Sequence, residues 1–294
     1  MTEQEAREAF KRIFRDLDVE HGDTLYLGID VGRVPLPKYQ AALTREAIRA
    51  RERKWCEFIY ECLREAIGGE GTLLVPTFTY AYAGGAPYIN EETPSETGPF
   101  TEYVRTLPGS VRSLHPIHSI AGIGPKAGII LDNVGKAAYG AMSPYARFTN
   151  ENVKFLCLGT SIGESLTYVH HLEHIYGSNH RYHKVFDTSV SRHGRAIDGP
   201  WLCYLRYFGV AAKPRIANIE DELRSQGVLA ESREGGGVNQ LAKASDVDRV
   251  GLAMLTKNPC AFVSEDVRVY LDETATKSEP SVGRDIRFDL NFKK

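Results

Sequence analysis

The sequence predicts an α/β protein of one domain, with a mixed central sheet flanked by helices and a β-rich excursion around residues 180–210. Three apolar runs have the length and the bounding turn residues of buried strands, at residues 24–29, 71–79 and 153–159. Stretches with helical periodicity lie between them, and this alternation is typical of α/β folds. The 294 residues suffice for one large core or two smaller ones. We therefore expect one domain over residues 1–275 and a loose polar tail over 276–294.

The N-terminal half begins with a predicted helix over residues 3–18, which carries one apolar stripe: Ala6, Phe10, Ile13, Phe14 and Leu17. After the strand at 24–29, a Gly/Pro loop leads into a long charged helix over 40–67. Residues 80–99 are rich in tyrosine, glycine and proline, which indicates a loop: either a lid or substrate wall, or a packed surface loop. The pattern then predicts a short helix over 100–105, a strand-like stretch over 111–124, a short helix from Lys126 and a turn at 143–145.

The C-terminal half begins with the strand at 153–159 and a turn over 160–164. A helix over 165–176 follows, with Leu166, Val169, Leu172 and Tyr176 at helical spacing and Gly177 as its end. Two strands at 181–186 and 201–208 are joined by a hairpin-like turn at 193–200. Further helices are predicted over 216–226 and 245–256, with a flexible glycine tip at 235–237 between them.

Composition and charge exclude several classes of protein. The formal net charge is −2, which does not suit a general nucleic-acid binder. No apolar run approaches the roughly 20 residues of a membrane span, and the charged amphipathic start is unlike a signal peptide. The five cysteines are odd in number and lack CxxC spacing, which favours free thiols in a reducing compartment. We expect a cytoplasmic protein, with a homodimer left open as an oligomeric state.

The most informative stretch is the helix over 165–176, because it groups three histidines and a glutamate. His170, Glu173 and His174 lie three and four residues apart, so they share one helix face. A histidine with a carboxylate one turn away suits a general base that must be oriented and charge-stabilised. The alternative is a solvated polar face without function.

A second chemistry is open at the same helix. His170, Glu173 and His174 fit the H-x-x-E-H motif, in which two histidines bind zinc and the glutamate acts as base. The motif is short, and no third ligand can be singled out. A zinc-dependent hydrolase is therefore an alternative to a metal-free enzyme.

Polar residues also collect at the ends of other predicted strands, at 76–79 and 112–119. They supply hydroxyls (Thr77, Thr79, Ser119), and Arg112 and Lys126 supply cations for phosphate. No Walker A loop, no complete GxGxxG after a strand and no GxSxG elbow is present. If strands of one sheet bring these segments together, they form one polar site near the histidine helix.

The order of these motifs resembles that of the aminoglycoside 3-N-acetyltransferase family, including its members of unassigned substrate. The resemblance covers residues 22 to 186. The matching pieces are Gly22-Asp-Thr-Leu, the strand at 71–79, Phe100-Thr-Glu with Arg105, Pro108-Gly with Arg112-Ser-Leu-His-Pro-Ile-His-Ser, Ser143-Pro-Tyr, and Leu158-Gly running into Thr167 with His170 and Glu173.

The resemblance implies a metal-free acyltransferase that uses acetyl-coenzyme A as cosubstrate and a small-molecule amine as acceptor. It implies His170 as general base and Glu173 as a site carboxylate. We assign to coenzyme binding Asp30, Thr77, Arg112, Ser113, His115 and Ser119. We assign to acceptor binding Thr79, Tyr80, Tyr82 and Tyr207.

Two positions depart from the family pattern. The chain has Gly28-Ile-Asp30 where the family usually shows His-Ser-Ser, and Tyr207 where many relatives carry an acid. Aromatic residues suit the faces of a sugar or base better than a string of ammonium groups, each of which needs a carboxylate. We therefore expect a mono-amino sugar, nucleotide-linked or not, rather than a polycationic aminoglycoside. A non-catalytic member of the fold is a further alternative.

Overall fold

The computed structural model describes residues 1–40, 42–178, 180–206 and 214–263, together with the backbone of 284–286. The helices are α1 (Glu3–Asp16), α2 (Arg45–Ile67), α3 (Pro99–Arg105), α4 (Ala127–Leu131), α5 (Ile162–Ser165), α6 (Val169–Tyr176), α7 (Ala217–Ser225) and α8 (Ala244–Lys257). The strands are β1 (Thr24–Ile29), β2 (Thr72–Pro76), β3 (Tyr88–Ile89), β4 (Val111–Arg112), β5 (Ile120–Ile123), β6 (Val153–Leu158), β7 (Arg181–Phe186), β8 (Val190–Arg192), β9 (Arg195–Ile197), β10 (Trp201–Arg206), β11 (Ala230–Ser232), β12 (Asn239–Lys243) and β13 (Arg284–Ile286).

A mixed sheet forms the centre of the molecule, as predicted, and it has seven strands. Its strand order is β11-β12-β6-β1-β2-β5-β4. The three strands in the middle, β6, β1 and β2, run parallel, and the flanking strands pair antiparallel. The carboxyl ends of the parallel strands therefore meet at one edge, where open α/β sheets bind their ligands.

Side chains on the two faces of the sheet enter two separate cores because neighbours along a strand point to opposite faces. Leu25 and Leu27 of β1 pack with α1, α2 and α3, whereas Tyr26 between them packs with α4 to α8. This arrangement makes a three-layer molecule. The predicted apolar stripe of α1 faces the core that contains Leu25 and Leu27, and each of its five residues is at most 5% exposed.

Local signals explain where several elements begin and end. Thr2 Oγ1 accepts the amide of Glu5 at 3.2 Å and the Glu5 carboxylate accepts the amide of Thr2 at 2.7 Å, a capping box that starts α1. Gly177, with a φ of +81°, ends α6 in the left-handed conformation that glycine adopts without strain.

The predicted β-rich excursion is confirmed over the described residues. β10, β7 and β13 form an antiparallel sheet, and β3, β8 and β9 form another of three strands. β8 and β9 make a hairpin around His193 and Gly194, so the predicted turn at 193–200 holds one more strand than expected. β13 lies inside the predicted loose tail yet pairs with β7 from Arg284 to Ile286.

Other local predictions were wrong. Residues 160–164 are not a simple turn, because Ser161 and Glu164 form a capping box that starts α5. Tyr176 is 36% exposed and does not continue the buried stripe of α6. β11 and β12 were not predicted, whereas the end of β2 at Pro76 agrees with the proline as the expected end of strand pairing.

No helix among the described residues combines the length and the apolar character needed to cross a bilayer.

Candidate active site

A cavity of about 400 Å³ lies where α6 meets the sheet of β7 and β10. Its lining residues are aromatic, apolar and basic: Tyr80, Ala83, Ile117, His118, Tyr139, His170, Arg181, Tyr182, Phe186, Tyr204, Leu205, Arg206 and Pro214. The volume falls within the range of small-molecule sites. Of the polar segments predicted near strand ends, two therefore reach this cavity: residues 112–119 through His118, and the histidine helix through His170.

The predicted pair of His170 and Glu173 is formed. His170 Nδ1 lies 2.9 Å from Glu173 Oε2, across one turn of α6. The His170 side chain is 21% exposed and reaches the cavity, whereas the Glu173 side chain is 1% exposed. This is the arrangement expected of a base whose second nitrogen is held by a buried carboxylate.

Two further residues, which the sequence did not predict as part of the site, complete the Glu173 environment. His180 Nε2 lies 2.9 Å from Glu173 Oε1, and Arg181 Nε forms an ion pair at 2.6 Å with Oε2. Burial alone would raise the pKa of the Glu173 carboxyl, but Arg181 and the hydrogen bonds from His170 and His180 hold it well below its usual range. Glu173 is therefore an anion whose charge is balanced inside the protein.

The contacts of His170 Nδ1 make competing demands on its tautomer. Arg181 Nη2 lies 2.6 Å from Nδ1 and would donate to a bare nitrogen, whereas Glu173 accepts a hydrogen from a protonated one. The adjacent carboxylate favours a hydrogen on Nδ1, which leaves the Nε2 lone pair available. Burial lowers the pKa of His170 and Arg181 lowers it further, against the opposing effect of Glu173, so the imidazole is neutral near pH 7.

His118 and Tyr139 form the wall beside His170. The Tyr139 hydroxyl lies 3.4 Å from His118 Nδ1, and the Tyr139 ring lies 6.0 Å from the His170 ring. Burial, followed by the influence of His115, His170 and Arg181, holds the pKa of His118 well below its ordinary value. His118 is therefore a neutral hydrogen-bonding group next to His170.

Three of the residues assigned to the coenzyme form one buried network instead of an open surface. Arg112 Nη2 donates to the Thr77 carbonyl at 2.8 Å, and its Nε donates to Ser119 Oγ at 3.0 Å. Its Nη1 donates to the carbonyls of Asn90 at 3.0 Å and Thr93 at 2.6 Å. Because each Arg112 nitrogen has an internal acceptor, this geometry ties β4 to β2 and gives no support to a phosphate contact.

Ser113 and His115 are likewise buried, each 1% exposed. Ser113 Oγ accepts the Ile120 amide at 2.9 Å, and His115 Nε2 donates to the Leu202 carbonyl at 3.1 Å. Burial lowers the pKa of His115 to about 4. Both side chains therefore hold the turn between β4 and β5 in place.

Asp30 lies apart from these residues, at the carboxyl end of β1. Its carboxylate accepts the Gly32 amide at 2.9 Å and pairs with Arg33 at 3.3 Å. With Trp55 and Thr97 it lines a separate cavity of about 510 Å³. The structure therefore does not bring Asp30 together with the other five residues assigned to the coenzyme.

The residues assigned to the acceptor divide in the same way. Tyr80 is 52% exposed and lines the cavity of His170. Thr79 and Tyr82 are buried, and their hydroxyls donate to the carbonyls of Pro116 and Thr188. Tyr207 lies outside the described residues.

His174 does not join His170 and Glu173. Its Nε2 lies 3.4 Å from His183 Nε2, and its ring stacks on Tyr204 at 4.8 Å. Across the part of the chain that the structure describes, no three His, Cys, Asp or Glu side chains converge as metal ligands would. The Arg181 guanidinium beside Glu173 would also repel a divalent cation, so the geometry does not favour the zinc alternative.

His171, by contrast, has a structural role that its position on the helix did not indicate. It is 4% exposed, its Nδ1 accepts the Gly140 amide at 3.2 Å, and its ring packs on Tyr168 at 5.2 Å. His171→Ala would therefore leave the buried Gly140 amide without this acceptor.

Gly28, which departs from the family pattern, lies directly against Ser165. A Cβ added at Gly28 would lie 2.9 Å from Ser165 Oγ and 3.1 Å from Ser165 Cβ. Ser165 is fixed there because its hydroxyl donates to the Ser161 carbonyl at 2.8 Å. The space that a side chain at position 28 would need is occupied by α5.

Comparison with known proteins identifies the family. A sequence model described as aminoglycoside 3-N-acetyltransferase matches residues 49–256, more than half of the chain. The chain belongs to the aminoglycoside 3-N-acetyltransferase family. The match contains the whole of α6, with His170 and Glu173, and extends through β10 into α8.

Curated relatives in this family match over shorter stretches. Aminoglycoside N(3)-acetyltransferase VIII of Streptomyces fradiae is 30% identical over 141 residues, which cover 39% of this chain and 47% of that protein. Aminoglycoside N(3)-acetyltransferase VII of Streptomyces paromomycinus is 29% identical over 140 residues, with shares of 40% and 47%. The chain thus spans about half the length of the curated relatives it matches.

Solved structures of family members share the fold. The aminoglycoside acetyltransferase AAC(3)-Xa has a TM-score of 0.71 at 19% identity, with 85% of this chain and 92% of that one covered. AAC-IIIb, solved as a binary complex with CoASH, has a TM-score of 0.68 at 21% identity, covering 85% and 96%. The mixed α/β architecture is therefore that of the family.

Proposed function

We propose that the protein is an acetyl-coenzyme A dependent N-acetyltransferase that acts on an amino group of an amino sugar or aminoglycoside-like acceptor. One observation carries the proposal: in a chain of this family, His170 faces a cavity of about 400 Å³ and is held from behind by buried, ionised Glu173. Curated relatives named aminoglycoside N(3)-acetyltransferases support the same reaction class.

In the proposed reaction, His170 Nε2 accepts a proton from the acceptor amine as the amine nitrogen attacks the thioester carbonyl. A C–N bond forms, the C–S bond breaks, and the coenzyme leaves as a thiol after taking up a proton. Glu173 stabilises the imidazolium that forms between these proton transfers. General-base catalysis of this kind contributes roughly 10²–10⁴-fold to a rate.

Residues for the anionic end of the coenzyme are available in a second cavity, at the carboxyl end of β6. A cavity of about 470 Å³ beyond β6 is lined by Arg33, Thr160, Ser161 and Arg233, and also by Glu164 and Glu220, which are bonded to Thr160 and Arg224. Cationic and hydroxyl side chains at the carboxyl end of a parallel strand suit a phosphate-bearing ligand. We propose Arg33 and Arg233 in place of buried Arg112 for this contact. A cytoplasmic location belongs to the same proposal.

The test is a thiol-release assay with acetyl-coenzyme A and a panel of amino sugars and aminoglycosides. We expect release that depends on an acceptor and that survives a metal chelator. Coenzyme binding without turnover of any acceptor would support a non-catalytic member of the fold. Activity lost on chelation and restored by zinc would support the hydrolase alternative.

A further inference from the structure

His118 is a hydrogen-bonding group of the His170 cavity to which the proposed reaction gives no role. Its side chain lines the cavity together with His170 and Tyr139. The Tyr139 ring centroid lies 5.2 Å from the His118 ring and 6.0 Å from the His170 ring. The two imidazoles therefore lie at the wall of one cavity, beside the same tyrosine.

Contacts on several sides hold the His118 backbone and ring in place. The His118 amide donates to His115 Nδ1 at 3.0 Å, and the buried His115 ring donates in turn to the Leu202 carbonyl of β10 at 3.1 Å. The Phe78 ring meets the His118 ring edge-on, with 4.8 Å between centroids. Because the ring is already fixed, it loses little conformational freedom when a ligand binds to it.

The contact between Tyr139 and His118 determines which imidazole nitrogen carries the hydrogen. The Tyr139 hydroxyl lies 3.4 Å from His118 Nδ1, and this is its one hydrogen bond within the described residues. Tyr139 is 1% exposed, so a hydroxyl that accepted from Nδ1–H would leave its own hydrogen buried without an acceptor. The favoured arrangement has Tyr139 donating to a bare Nδ1, which places the hydrogen of the neutral ring on Nε2.

The other nitrogen of His118 is left for a ligand. Within the described residues, the side-chain hydrogen bond of His118 is made by Nδ1, while the ring lines the cavity. Burial and the neighbouring basic side chains hold its pKa well below the ordinary value, so the ring stays neutral. A neutral imidazole of this kind is a poor base, but it donates Nε2–H without releasing the proton.

We propose that His118 is a second catalytic residue, which donates Nε2–H to the thioester oxygen as that oxygen becomes an oxyanion. The inference rests on the proposed function and adds a group to its general base. When the amine nitrogen attacks, the carbonyl π electrons move to oxygen, and they return when the C–S bond breaks. His118 Nε2 keeps its hydrogen throughout, and His170 accepts the amine proton. Tyr139 is a positioning residue that fixes the tautomer.

Two variants separate the donor from the ring that carries it. His118→Gln can place an amide N–H near the position of Nε2, whereas His118→Asn places it near that of Nδ1. With the best acceptor found in the thiol-release assay, His118→Asn should lower kcat roughly 10²–10³-fold, as the loss of one oxyanion donor does. His118→Gln should recover about tenfold of this loss, and the Kd for acetyl-coenzyme A should change little in either variant. Equal kcat values for the two variants, or wild-type kcat in His118→Asn, would overturn the inference.

The tautomer is measured on the unsubstituted protein, so this readout does not depend on the folding of a variant. The ¹⁵N chemical shifts of histidine-labelled protein report which ring nitrogen carries hydrogen. We expect His118 to have a bare Nδ1 and a protonated Nε2. Tyr139→Phe should change the Nδ1 shift, because it removes the hydroxyl but keeps the ring. A hydrogen on Nδ1 would contradict the assigned donor.

An infrared comparison separates failure of this inference from failure of the proposed function. Acetyl-coenzyme A labelled with ¹³C at the carbonyl is bound to the wild type and to His118→Asn. The carbonyl band should lie at lower frequency in the wild type, because a donor to the oxygen weakens the C=O bond. The same band in both proteins would overturn the inference alone. If acetyl-coenzyme A binds but no acceptor is turned over, the proposed function fails, whereas a lower band in the wild type still supports the donor contact. If acetyl-coenzyme A does not bind, both fail.

Discussion

At the scale of single residues, His170 is the group on which the proposed chemistry depends. His170→Ala removes the proposed base and should lower kcat by roughly 10²-fold or more, because the amine then has no positioned proton acceptor. Acetyl-coenzyme A affinity, measured by calorimetry, should change little. His193→Ala, on an exposed hairpin tip, is the control and should keep wild-type activity. Equal rates for His170→Ala and the wild type would disprove the assignment.

The neighbours of His170 predict opposite shifts in the pH dependence of kcat/KM. Arg181→Gln removes a cation that lowers the pKa of His170, so the acidic limb of the profile should move to higher pH. Glu173→Gln removes the anion that raises this pKa, so the limb should move to lower pH. Profiles from pH 4.5 to 9 for the two variants test this sign difference. Shifts in the same direction would rule out the electrostatic explanation.

How far the site was predictable depends on the sequence distance between its residues. His170 and Glu173 are three residues apart on one helix, so local periodicity places them together. His180 and Arg181 reach the same carboxylate only because β7 folds back beside α6, and no local pattern encodes that return. Their signal was the run of basic and aromatic residues after Gly177, which predicted a strand without assigning a role.

At the scale of elements, Arg112 predicts a loss of stability. Arg112→Ala would remove the donor of the Asn90 and Thr93 carbonyls and leave the Thr77 carbonyl with Ser119 alone, which should cost about 3 kcal/mol. Arg112→Lys should recover only part of this stability, because lysine lacks the planar guanidinium group. Urea denaturation measures the effect. If Arg112→Ala keeps its stability and instead weakens acetyl-coenzyme A binding, the original assignment of Arg112 to the coenzyme is right.

The strands that were missed show why some elements escape a pattern of hydrophobicity. β12 is buried next to β6, yet it begins with Asn239 and Gln240. Their side chains accept the amides of Gly159 at 3.0 Å and Ile162 at 2.7 Å. Because β12 supplies hydrogen-bond acceptors to backbone amides near the start of α5, it needs polar residues at buried positions, and its sequence therefore resembles that of a loop. The apolar strands β1 and β6 were predicted to within one residue because they supply no such acceptors.

At the scale of the whole molecule, buried histidines predict how stability depends on pH. Burial lowers the pKa of His115 and of His171 from the ordinary 6.5 to about 4. Between these values the unfolded chain binds protons that the folded chain excludes, so stability is complete above pH 6.5 and falls as pH drops toward 4. Each histidine contributes on the order of 3 kcal/mol over this window.

Urea midpoints at pH 7.5, 6.5, 5.5 and 4.5 test this prediction. We expect little change between the first two values and a steady fall below them. A midpoint that stays constant down to pH 4.5 would contradict it. His171→Gln should be less stable at pH 7.5, but its urea midpoint should fall less toward pH 4.5, because its unfolded chain has one histidine fewer to protonate.

Gly28 and Ser165 constrain how this branch of the family could have changed over time. The two positions share one side-chain volume, with 2.9 Å between a Cβ at position 28 and Ser165 Oγ. A side chain at position 28 would require Ser165 to shift or to be replaced. Substitutions at the two positions should therefore be non-additive, and a residue larger than glycine at position 28 should be tolerated best together with a smaller residue at position 165.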